Sequence, residues 1–141
     1  LIAGWKHLYF AALNALNAFK NKTNISNSLA VETLLYASAK RQINKAVELL
    51  GIKPESSQVA VLVIAETRQK TVTIIETVSE LMSGERDDSV IELTSEKVNG
   101  VKRLFGISNL ELEAKLEKKG FEKEALIDLV IEHVALLATQ R

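Results

Sequence analysis

The sequence predicts an α/β (α+β) fold: a small sheet with its central strand near residues 58–66, packed by about six helices. Three observations carry that expectation. Most of the 141 residues fall into segments whose apolar positions recur at i, i+3, i+4 and i+7, the signature of helices with one buried face. One run, VAVLVIAE at 59–66, is instead nearly continuous in β-branched and aliphatic residues, as a strand covered on both faces would be. The composition, 47% hydrophobic and 26% charged, suits a single domain with one core. With aromatics at only 5%, that core must be built from Leu, Ile, Val and Ala.

In chain order, KHLYFAALNALNAFK (6–20) spaces Leu8, Ala11, Ala12, Ala15, Ala18 and Phe19 along one helical face made largely of alanine, which lets a neighbour approach closely. NKTNISNS breaks the pattern, and Ser28 is placed to cap the next helix, 29–37, which turns Val31, Leu34 and Leu35 inward. A third helix, 43–50, carries Ile43, Ala46, Val47 and Leu50 inward, and Gly51 is expected to end it in the manner of a C-terminal glycine. The only proline lies in the turn before the strand at 58–66. Helix is expected again from about 69, with Val72, Ile75, Val78 and Leu81 or Met82 on one face. SVIEL (89–93) reads as a short edge strand. Helices over 96–104, 108–118 (capped by Ser108 or Asn109) and 122–139 complete the chain. Two strands make a marginal sheet, so further strand is expected from residues upstream of Leu1, from a partner or from a second copy in a homodimer.

Several function classes lose support. The chain has no cysteine, which removes disulfides and thiolate chemistry and fits a reducing, cytoplasmic setting. No apolar run approaches the roughly 20 residues of a membrane span. His7 and His133 stand alone within helices, outside metal-ligand spacing, and read as packing or helix-face residues. No phosphate-cradling glycine motif or nucleophile elbow occurs, and Asp87-Asp88 reads as a solvated turn. The expectation is a binding protein and not an enzyme, with no cofactor, metal or small-molecule substrate. The formal net charge of zero hides an asymmetry: +5 over residues 1–53 and −5 over 54–141. Such a split suits separate surfaces for an anionic and a cationic partner.

Two features stand out. Lys40, Arg41 and Gln42 interrupt the apolar spacing between the second and third helices, where a helix N-terminus plus two cations suits phosphate or carboxylate. Tyr36 and Ile43 lie near enough in sequence to form a floor beside them. The same residues also suit an ordinary solvated turn with Arg41 paired to an acid. In the last helix, Leu126, Leu129, Val130, Val134 and Leu137 form an inward stripe that Ile127, Ile131, Leu136 and Ala138 widen. An arc so broad fits deep burial, or a helix serving a core and a partner together.

HLYFAALNAL, ISNSLAVETLLYASAKRQINKAVELLGI and GERDDSVIEL together resemble the kinase-associated small subunit of the archaeal KEOPS complex, the PRPK-binding protein family. The resemblance spans essentially the whole chain and is most specific over 25–52. That family often has glycine where this chain has Ala39, and usually carries a strand region before the first helix. The resemblance implies a non-catalytic subunit of the machinery that installs threonylcarbamoyladenosine in tRNA. It would bind a small atypical kinase/ATPase and hold the single-stranded 3′ CCA end of tRNA. On that basis Lys40, Arg41 and Gln42, with Ile43 and Tyr36 as a base support and Lys20 and Lys22 as a phosphate track, are the expected tRNA contacts. Ile127, Ile131 and Val134, with Leu126 and Val130, are the expected kinase contacts.

Overall fold

The computed structural model describes residues 1–119 and 121–140. Among these described residues seven α-helices run in order: α1 (Trp5–Lys20), α2 (Leu29–Ser38), α3 (Ile43–Leu50), α4 (Arg68–Leu81), α5 (Ser95–Phe105), α6 (Asn109–Lys119) and α7 (Glu122–Leu136). Short 3₁₀ turns lie at Asp88–Ile91 and Leu137–Thr139. Helix α1 packs on α2 and α7, α7 also meets α5 and α6, and α3 leans on α2.

The core is aliphatic. Ala11, Ala15 and Ala18 of α1 pack against Leu35 of α2 and against Leu126, Val130 and Val134 of α7 in one buried cluster. The α7 stripe expected from spacing is the one observed: Leu126, Leu129, Val130, Val134 and Leu137 are all buried. The alanine face of α1 lets α2 and α7 come close on the same side. Local signals hold the ends. Ser28 Oγ accepts from Val31 N at 3.3 Å, Thr67 Oγ1 from Lys70 N at 3.1 Å, and Ser108 Oγ from Glu111 N at 3.1 Å.

The expected sheet is absent, and the α/β assignment is corrected to an all-helical one among the described residues. Residues 58–66 run as neither helix nor strand and make no backbone hydrogen bonds among the described residues. Residues 89–93 enter a 3₁₀ turn, capped by Asp87 Oδ1 accepting from Ser89 N at 3.0 Å. A β-branched run favours extended backbone, but a strand exists only when a second backbone supplies its hydrogen-bond partners, and none does so among the described residues. Helix α4 is formed but contributes no buried residue. A groove of about 560 Å³ separates 56–64 from α1 and α2, with Leu8, Leu29 and Leu34 on its helical side.

Gly51 corrects a second expectation. It ends α3 in extended backbone (φ −66°, ψ 157°) and not in a left-handed cap. Its need is space, because a Cβ there would sit 2.4 Å from the Val47 carbonyl oxygen.

Candidate nucleic-acid interface

Three helices end in the same hydrogen-bonded pattern. After α1, Lys22 N donates to Phe19 O and Thr23 N to Ala18 O; after α2, Ala39 N donates to Tyr36 O and Lys40 N to Leu35 O. After α5, Gly106 N donates to Arg103 O and Ile107 N to Lys102 O. Each is a Schellman cap, with Lys22 (φ 58°), Ala39 (φ 54°) and Gly106 (φ 64°) in the left-handed region. At Ala39 this reverses the chain so that 40–42 project between α2 and α3. Lys40 and Arg41 therefore sit in the turn ahead of α3 and not on its first residues, and Gln42 is its N-cap position.

A buried brace fixes the turn. His7 is fully buried; its Nδ1 accepts from Ala3 N at 3.1 Å, and its Nε2–H donates to the Ala37 carbonyl at 2.7 Å. Burial pushes its pKa down to about 4, so the ring is neutral. The Phe105 ring meets it edge-on at 5.4 Å between centroids. On the other side of α2, Glu32 is fully buried, its carboxylate accepting from Ile25 N and Ser26 N at 2.8–3.1 Å.

The turn, the end of α5 and the C-terminal part of α7 enclose a cleft of about 390 Å³, within the range of small-ligand sites, roughly 300–1,000 Å³. Lys40, Arg41 and Gln42 line it, joined by Lys45, Phe105 and His133. Arg41 Nη1 donates to the Gln140 carbonyl, drawing the end of the chain to the rim. His133 Nε2 lies 3.6 Å from Glu111 Oε2.

The structure places the expected residues unevenly. Lys40, Arg41 and Gln42 converge. Ile43 is exposed but outside the lining, and Lys20 and Lys22 are exposed at the end of α1, also outside it. Tyr36 is buried, at 5% exposure, and its hydroxyl pKa is raised by burial; it has no face to offer a base. Lys45, Phe105 and His133 were not expected. Lys45 follows Arg41 by four residues, a spacing that could have flagged it, whereas Phe105 and His133 arrive only through the tertiary packing of α5 and α7. On α7, Leu126, Val130 and Val134 are fully buried in the chain's own core, while Ile127 and Ile131 are half-buried.

The chain matches the family described as "Kinase binding protein CGI-121" over residues 1–138. The chain belongs to the CGI-121 family. Within it, the "Regulatory protein Cgi121" of Methanocaldococcus jannaschii is 32% identical over 129 residues, covering 92% of this chain and 79% of that protein. The matched span includes the turn at 39–42 and the cleft residues other than Gln140. Among the described residues no helix is long and apolar enough to cross a membrane, and no group of three or more His, Cys, Asp or Glu side chains could hold a metal ion.

Proposed function

We propose that the protein is a non-catalytic subunit of the tRNA-threonylcarbamoyladenosine (KEOPS) machinery. It binds the small atypical kinase and holds the single-stranded 3′ CCA end of tRNA in the cleft beside Ala39. The observation that carries the RNA half is the convergence of Lys40, Arg41 and Lys45 with Gln42, Phe105 and His133 on one cleft. Lysines and arginine neutralise phosphates, while the Gln42 amide and the partly exposed His133 ring suit the edges and faces of unpaired bases, with the buried Phe105 behind them. The kinase half rests on the family's description and on the resemblance over 25–52.

A titration of full-length tRNA against tRNA trimmed of its CCA end tests the RNA half. Selective loss of affinity for the trimmed tRNA is the expected result; equal affinities refute it. A second reading, a protein-only adaptor of the kinase, draws on Arg41, whose guanidinium is already bonded to the Gln140 carbonyl. On that reading Arg41→Glu leaves tRNA affinity unchanged.

A further inference from the structure

Helix α1 is apolar on two opposite sides. Its covered side is His7, Ala11, Ala15 and Ala18, all buried. Trp5, Tyr9, Leu13 and Leu16 repeat the same spacing two residues earlier, about 200° around the helix, and are 62%, 52%, 38% and 41% exposed. A helix apolar all round is normally buried all round, and Trp and Tyr are the residues over-represented where binding energy concentrates. Its aromatic end is also knit together. Trp5 and Tyr9 meet edge-to-face at 6.0 Å and 64°, and Lys6 Nζ stands 5.9 Å from the Trp5 ring centre.

The charge carried by α1 and its flanking residues is of one sign. Residues 1–31 contain Lys6, Lys20 and Lys22 and no Asp or Glu. A surface that complements this stripe is apolar at its centre and carboxylate-bearing at its edge. We propose that the α1 stripe is the docking surface for the protein kinase partner, through an apolar, acid-rimmed patch on that kinase. This rests on reading the chain as a kinase-binding subunit and assigns the surface to α1 in place of α7. On α7, three of the five expected contacts are committed to the core, and Ile127 also packs against it. RNA is the poorer occupant. The rings lie edge-to-face and not as parallel platforms, Lys6 sits over Trp5, and Leu13 and Leu16 give a base nothing to hydrogen-bond.

The test is the affinity of the protein for its purified cognate small kinase and, separately, for full-length tRNA. The double variants Trp5→Ala/Tyr9→Ala and Leu13→Glu/Leu16→Glu are compared with wild type. Helical circular dichroism is checked first; a variant that loses helicity is replaced by Lys6→Glu, which reverses the rim charge beside Trp5. Each double variant on the stripe is expected to lose at least about 30-fold in kinase affinity, and the rim variant about 10-fold. Affinity for tRNA should stay within about 2-fold. Wild-type binding of the kinase that the variants leave intact overturns the surface alone. Loss of tRNA affinity in place of kinase affinity gives the stripe to RNA and also overturns it, as does loss confined to a folded Ile131→Arg variant. A wild-type protein that does not bind the kinase refutes the kinase reading and this inference together.

Discussion

His7 Nε2 lies 2.7 Å from the carbonyl oxygen of Ala37, two residues before the left-handed Ala39, so the first helix is bonded to the base of the turn that shapes the cleft. The ring is held neutral by burial, with a pKa of about 4. In the unfolded chain a histidine takes up its proton near 6.5. Between those values the unfolded state binds the extra proton, so stability rises with pH from about 4 to 6.5 and the contribution is fully present above 6.5. Urea unfolding from pH 4 to 7 should show this slope, on the order of 3 kcal/mol in total, superimposed on the carboxylate titrations. His7→Gln, although less stable throughout, should lose that component. An unchanged slope would mean that His7 is protonated in the fold.

Ala39 and Lys22 adopt the backbone that Gly106 adopts in the same cap, but with a Cβ in place. Left-handed backbone costs a non-glycine residue roughly 1–2 kcal/mol, partly offset by the greater freedom glycine has when unfolded. Ala39→Gly and Lys22→Gly should each stabilise the protein by about 0.5–1 kcal/mol, and Gly106→Ala should destabilise it by a similar amount. The midpoint of chemical unfolding measures all three. Destabilisation by Ala39→Gly would show that the turn is not left-handed in solution.

Glu32 is a buried carboxylate whose hydrogen bonds go to the backbone of the α1–α2 connection. Glu32→Ala strands the N–H groups of Ile25 and Ser26, and should cost about 1.5–3 kcal/mol. Glu32→Gln keeps one acceptor oxygen and should cost less. Hydrogen exchange at those two amides gives the specific readout. Protection that survives Glu32→Ala would rule the bond out as their shield.

Periodicity located what a single helix face decides by itself. The α7 stripe, the alanine face of α1 and the Ser28 cap were legible because 3.6-residue spacing and capping chemistry are local. The segment 58–66 was misread because its residue types specify a preference for extended backbone but cannot supply the neighbouring strand. Tyr36 was misassigned for a related reason: it is one turn from Lys40 in sequence, yet α2 rotates it inward while the left-handed Ala39 turns Lys40 outward. Phe105 and His133 come to the cleft from more than 60 positions away, a juxtaposition made only by the packing of α5 and α7. The outward stripe of α1 was in plain view, but all four of its positions, Trp5, Tyr9, Leu13 and Leu16, fell outside the face chosen as the buried one.

The cleft's cations can be counted by salt. Each Lys or Arg that neutralises a phosphate of a single strand contributes about 0.7 to the slope of log affinity against log salt. Lys40→Ala, Arg41→Ala and Lys45→Ala should each flatten that slope by about this amount for a short CCA-ended single strand. Lys20→Ala and Lys22→Ala, outside the lining, should leave that short ligand unaffected and matter only for full-length tRNA, whose backbone runs further. Tyr36→Phe should change nothing beyond about 2-fold, because the buried ring reaches no base, whereas His133→Ala should weaken binding with the slope preserved, by roughly 1–3 kcal/mol for one stacked base. Fluorescence anisotropy at several salt concentrations reads both quantities. A slope untouched by Lys40, Arg41 and Lys45 would take the RNA away from this cleft, and a slope that falls only with Lys20 and Lys22 would move it to the end of α1.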